Sequence, residues 1–106
     1  MQPGRILIAW TIMAAALGAV PAQAETIQVT IDRVAFAPAE IRAKVGDTVE
    51  WVNKDILAHT ATVRGDFDVT IAAGKTGRLV LKKPGDIVYF CRFHPNMKGR
   101  IAVSPQ

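Results

Sequence analysis

The 106-residue sequence is poor in the residues that cross-link or ligate: one cysteine, Cys91, and two histidines, His59 and His94. A lone cysteine closes no internal disulfide, so no covalent staple within the chain holds the fold. Basic residues outnumber acidic ones only 13 to 9 and are scattered, which lacks the concentrated basic stripe of a nucleic-acid binder. The longest apolar run, Ile6 to Val20, has fifteen residues. That is short of the roughly 20 needed to span a bilayer, and no basic stop-transfer cluster follows it. Beyond this run no stretch of ten or more residues carries the apolar periodicity and caps of a helix, and there is no internal repeat or low-complexity segment.

What is present begins with a leader. Arg5 precedes the apolar run and Pro21-Ala22-Gln23-Ala24 follows it, the layout of a secretory signal with an A-x-A cleavage site. Cleavage after Ala24 leaves 82 residues, Glu25 to Gln106, enough for one small domain with one core. Arg5 leaves with the leader, so 12 basic residues face 9 acidic ones. The expected destination is the periplasm. A lone thiol there is explained most plainly as a small buried apolar group, but the neighbours of Cys91 point elsewhere.

The remainder reads as an all-β domain. Short alternating or apolar runs rich in β-branched residues predict strands near Thr26–Ile31, Glu40–Lys44, Thr48–Asn53, Thr60–Val63, Phe67–Ile71, Arg78–Lys82, Asp86–Phe90 and Gly99–Val103. Val45-Gly46-Asp47, Ala73-Gly74-Lys75 and Lys83-Pro84-Gly85 supply reversals between them. Seven to eight strands at this spacing imply a single β-sandwich or barrel. Alternation along Thr48–Asn53 puts Val49 and Trp51 on one side, with Trp51 in the core.

The chemistry is concentrated in Cys91-Arg92-Phe93-His94-Pro95-Asn96-Met97, a short connection between two predicted strands. Cys91, His94 and Met97 recur at intervals of three, Pro95 restricts the backbone, and Asn96 tolerates turn geometry. These three candidate ligands leave one position open. His59, 32 residues before Cys91, is the only other histidine that can fill it. One thiolate, two imidazoles and one thioether form the donor set of a blue-copper centre, a trigonal His₂Cys site with a weak axial Met. Structural zinc prefers four Cys or His ligands, to which a thioether contributes poorly. A Cys–His nucleophile would need an orienting third group, an oxyanion hole and a substrate cleft. A small strand-rich domain with no sign of them is not expected to be an enzyme.

At these residues the chain resembles the cupredoxins. Its C-x₂-H-x₂-M spacing is most similar to the amicyanin-like group, since plastocyanin-like and pseudoazurin-like members place more residues between the second histidine and the methionine. The resemblance extends through Val45-Gly46-Asp47-Thr48-Val49-Glu50-Trp51-Val52-Asn53 before His59 and Gly85-Asp86-Ile87-Val88-Tyr89-Phe90 before Cys91. It implies a Greek-key β-sandwich with one copper ion, cycling between Cu(I) and Cu(II), bound by His59, Cys91, His94 and axial Met97. It also implies an electron carrier with His94 as its port, Phe93, Pro95, Ile56 and Leu57 as a docking patch, and Asn53 tying the ligand-bearing loops together. Arg92 stands where the amicyanin-like group more often has a small hydroxyl residue, so a bond from that position to Asn53 is not expected. The segment Thr60 to Leu79 is shorter than in that group, which argues against carrying over its partner, an amine dehydrogenase. Arg92, Lys98, Arg100 and Lys54 near the port would steer acidic redox partners by attraction that fades with salt. Such complexes are small and transient, and the protein is expected to be a monomer. The alternative that uses the same ligands is a copper-handling protein that buffers or delivers the ion.

Overall fold

Alternation decides which side of each strand is buried. In the computed structural model, which describes residues 23–106, Val49 and Trp51 point inward and are fully buried, while Thr48, Glu50 and Val52 are only partly covered. The expected leader lies outside the described residues except for Gln23 and Ala24. Nine strands follow: β1 (Thr26–Asp32), β2 (Ala35–Ala37), β3 (Glu40–Lys44), β4 (Thr48–Asn53), β5 (His59–Val63), β6 (Phe67–Ile71), β7 (Thr76–Val80), β8 (Gly85–Cys91) and β9 (His94–Ser104). They form a four-stranded sheet, β2-β1-β4-β7, facing a five-stranded sheet, β3-β9-β8-β5-β6. β1 lies parallel to β4 and β3 parallel to β9, and the other pairs are antiparallel. This is the all-β sandwich expected from the strand spacing.

Three elements differ from the expectation. β2 is an additional strand, only three residues long and followed closely by Pro38, so it carries almost no periodic signal. β7 begins two residues earlier than Arg78, because the pairing of Trp51 with Gly77 and Val52 with Thr76 sets its register. β9 begins at His94 rather than Gly99, so the ligand-bearing connection is strand for most of its length.

The turn between β1 and β2 consists of Arg33 and Val34, with Asp32 paired to Ala35 across it. Both residues have positive φ, 52° and 58°. A two-residue hairpin turn with φ above zero at both positions normally uses Asn and Gly. A side chain in this region costs roughly 1–2 kcal/mol per residue, and a β-branched residue such as Val34 is a particularly poor occupant. The turn must therefore be held by contacts made elsewhere.

The core between the sheets is organised around Tyr89. Its ring meets Phe36 edge-on at 4.7 Å and Trp51 at 5.5 Å, and its hydroxyl accepts a 3.1 Å hydrogen bond from the Trp51 indole N–H. Burial pushes the Tyr89 pKa up to about 12, so the phenol stays neutral. Gly99 on β9 packs against this ring with no room for a side chain, since an added Cβ would clash with Tyr89 Cζ and its hydroxyl oxygen. At the end of the sandwich where β1 begins, Asp47 is buried. Its carboxylate accepts the Glu25 and Lys44 backbone N–H groups, both at 2.9 Å, with the Lys44 ammonium 3.5 Å away. The two amides, Glu25 first, hold its carboxyl below the ordinary range.

Two outcomes follow from this packing. Gly99→Ala is expected to lower stability by about 1–3 kcal/mol, the cost of forcing volume into a filled core. Calorimetric melting of the metal-free protein would measure it, and an unchanged Tm would show that Tyr89 has room to move. The depressed carboxyl of Asp47 adds stability above the unfolded value of about 3.9, and this is lost as pH falls through the lower folded value. Asp47→Asn should therefore melt lower at neutral pH and lose less stability on acidification than the unsubstituted protein. Parallel Tm-against-pH curves would contradict this.

Candidate metal centre

His59 opens β5, which lies between β8 and β6 in the larger sheet and is buried along nearly its whole length. Cys91 closes β8 and pairs directly with His94 at the start of β9, leaving Arg92 and Phe93 as a two-residue turn. A shift of register between Phe90 and Cys91 takes up Pro95, Asn96 and Met97, because Phe90 pairs with Lys98. The Cys-to-Met segment is thus a hairpin tip with an irregular second strand. The sequence missed this because Pro and Asn read as loop.

The topology brings three of the expected side chains together. The ligand atoms of His59, Cys91 and His94 all lie within 4.8 Å of one another, and among the described residues this is the one cluster of its kind. Cys91 Sγ is 3.8 Å from His59 Nδ1 and 3.7 Å from His94 Nδ1. A metal–sulfur bond of about 2.3 Å and a metal–nitrogen bond of about 2.0 Å, opened to about 120°, would separate the two donors by about 3.7 Å. The donor set and its spacing therefore fit a trigonal soft-metal site. His59 and Cys91 are fully buried, whereas His94 is half-buried and reaches the surface. Met97 is buried on β9 and shares with His94 the lining of a shallow depression formed with Val34, Phe93, Pro95 and Asn96.

Two side chains that the sequence did not single out hold this cluster. Thr60, next to His59, directs its backbone N–H at Cys91 Sγ at 3.4 Å, and its hydroxyl accepts the Arg92 backbone N–H at 2.9 Å. The hydroxyl is also 2.9 Å from that of Thr62, which donates to Asp68 at 2.6 Å. Asp55, on the loop before β5, receives the His59 Nε2–H at 2.8 Å, which leaves Nδ1 facing the thiol. The same carboxylate accepts the Arg33 and Val34 N–H groups at 2.7 and 3.0 Å. The Val34 amide, followed by the His59 ring, holds its carboxyl below the ordinary range. No motif marks Asp55 or Thr60; only their nearness to His59 in the chain hints at a role.

Asn53 is buried and makes a different set of contacts from the one the resemblance implied. Its amide donates to the carbonyl of Leu57 at 2.8 Å and lies 3.2 and 3.3 Å from those of Ile71 and Ala72, and its oxygen accepts the Asp55 N–H at 2.9 Å. It thus fastens the loop before His59 to the end of β6. The link to the Cys91 turn runs through Thr60.

In the depression that His94 shares, Val34 and Phe93 are exposed apolar side chains, and Ile56, 93% exposed, and Leu57 are exposed on the loop before His59. Two of the four cations expected to steer a partner are already engaged. Arg92 binds Asp68 at 3.0 Å and lies over the Phe93 ring, and Arg100 forms a two-point pair with Asp86. Lys54 and Lys98 have no ion pair among the described residues. The positive rim is accordingly weaker than the bare sequence indicates.

Comparison with known proteins agrees with this geometry. Residues 4–103 match the family described as Cupredoxin-like domain. Amicyanin-alpha of Methylorubrum extorquens is 32% identical over 100 residues, covering 87% of this chain and 84% of that protein. The methylamine utilization protein MauL of the same organism is 32% identical over 91 residues, covering 81% and 80%. The crystal structure of amicyanin from Paracoccus versutus superposes with a TM-score of 0.66 at 28% identity, over 82% of this chain and 87% of that one. A whole-length family match, a shared sandwich and a converged His–Cys–His cluster lead to one conclusion: the chain belongs to the cupredoxin-like family.

Proposed function

We propose that this cupredoxin is a periplasmic carrier of single electrons, in which His59, Cys91, His94 and Met97 would hold one copper ion. The observation that carries the reading is the His–Cys–His cluster, two members sealed in the core and one at the surface. It is no enzyme: amicyanin-like cupredoxins carry electrons and transform no substrate. Copper bound there supplies a one-electron Cu(I)/Cu(II) couple tuned by thiolate and thioether.

The residues of the chain supply the rest. Burial of Cys91 excludes water from the sulfur, and the Thr60 amide offers it one hydrogen bond that stabilises thiolate charge. Asn53, Thr60 and Asp55 fix the loops that carry His59 and Cys91, so little has to move between oxidation states. His94 offers the electron a route through its exposed edge, with Phe93, Pro95, Ile56 and Leu57 as the apolar rim that meets a transient partner. Redox encounters of this kind are brief and bury little surface, which suits a monomer. Copper delivery is the weaker reading. Passing on a metal by ligand exchange needs accessible donors, and His59 and Cys91 are fully buried.

Cupric loading of the purified protein is expected to give an intense blue colour that reductant bleaches reversibly. In Cys91→Ser the visible thiolate-to-copper band should vanish, and its persistence would refute the ligand assignment. His94→Gly should fold, because the residue lies at a hairpin tip, yet exchange electrons at least tenfold more slowly. Self-exchange measured by NMR line broadening at an unchanged rate would move the port elsewhere.

A further inference from the structure

The strained turn between β1 and β2 and the imidazole of His59 meet on one carboxylate. Asp55 accepts the Arg33 N–H at 2.7 Å on Oδ1, the Val34 N–H at 3.0 Å on Oδ2, and the His59 Nε2–H at 2.8 Å also on Oδ2. Its own N–H is taken by Asn53 at 2.9 Å. The side chain is only 12% exposed, and among the described residues no lysine or arginine forms an ion pair with it. A carboxylate accepts and does not donate, so it binds one tautomer of His59, the one protonated at Nε2. That tautomer presents a bare Nδ1, the atom that faces Cys91 Sγ. The turn residues have φ of 52° and 58° although neither is glycine or asparagine. Backbone held in a disfavoured region beside a functional group often serves that group. Here the strained conformation aims two consecutive amides at the carboxylate and fixes its position against the ring.

We propose that Asp55 is a positioning residue for His59: clamped by the Arg33-Val34 turn, its carboxylate selects the Nε2–H tautomer and makes Nδ1 a stronger donor, favouring Cu(II) over Cu(I). This rests on the copper reading above, which the test separates from it. Negative charge passed toward the ring stabilises the more highly charged ion more, so the carboxylate lowers the reduction potential. Loss of a hydrogen-bonding partner behind a ligand typically weakens metal binding about 10–100-fold. In Asp55→Asn that loss should fall mainly on Cu(II). Each tenfold difference between the two oxidation states raises the potential by about 59 mV.

The decisive measurements are the ¹⁵N signals of His59 in the metal-free protein well above neutral pH, and the reduction potential of the copper-loaded protein. In the unsubstituted protein His59 should be the Nε2–H tautomer; finding Nδ1–H would overturn the proposal without any variant. In Asp55→Asn the amide oxygen can keep the two donors that share Oδ2, the Val34 N–H and the His59 Nε2–H, so the tautomer should hold while loss of the negative charge raises the potential by about 59 mV or more; in Asp55→Ala, which leaves Nε2 without an acceptor, the Nε2–H preference should be lost as well. Val34→Gly relaxes the turn but keeps the carboxylate, and should leave both readouts unchanged. Equal shifts in Val34→Gly and Asp55→Asn would mean that the turn acts alone and would overturn the proposal. A blue Asp55→Asn protein with an unchanged potential would overturn this proposal and leave the electron-carrier reading standing. An unsubstituted protein that stays colourless with copper would overturn both.

Discussion

Thr60 holds the two distant halves of the centre in one place. Its amide faces the Cys91 sulfur and its hydroxyl accepts the first amide of the Cys91–His94 turn, so the strand that carries His59 is pinned to the hairpin that carries the other ligands. β5 and β8 share only the pairing of Thr62 with Phe90 as regular ladder, and beyond it these two bonds set the spacing of the donors. The hydroxyl continues through Thr62 to Asp68, where Arg92 closes the circuit. Arg92 therefore supports the fold of the turn from outside, where the amicyanin-like pattern uses a small hydroxyl residue.

The centre is asymmetric in a way that favours moving electrons rather than atoms. Buried hydroxyl, amide and carboxylate groups surround the His59 and Cys91 side, and each is satisfied by a partner within the chain. On the His94 side the rim is formed by Val34, Phe93, Pro95, Asn96 and Met97, with Val34 and Phe93 exposed. A closed interior resists ligand exchange, while an exposed ring edge shortens the path to a partner. Pairing of Arg92 and Arg100 with acidic neighbours leaves that rim less positive than the residue count implies.

Much of this was legible in the sequence because it depended on local pattern. Strict alternation located β3, β4 and β6 at their ends, and the spacing of Cys91, His94 and Met97 marked the ligand-bearing segment although its hairpin form was not legible. β2 was hidden because three residues next to a proline carry no period, and its turn was hidden because Arg33-Val34 has none of the usual turn residues. Asp55 and Thr60 were missed for another reason. Their roles arise from contacts that only the folded sandwich creates: Asp55 meets an amide 22 residues earlier in the chain, and Thr60 meets one 32 residues later. Asn53 was placed near the site, but its partners, carbonyls of Leu57 and Ile71, could be assigned only from the strand register.

If the protein alone sets the geometry of the centre, adding metal should change very little. High-resolution diffraction from metal-free and copper-loaded crystals tests this directly. The separations of Cys91 Sγ from His59 Nδ1 and His94 Nδ1, 3.8 and 3.7 Å in the protein described, should agree between the two to within a few tenths of an ångström. A metal-free structure in which the His59 ring has swung away from the thiol, closing only when copper binds, would contradict the account.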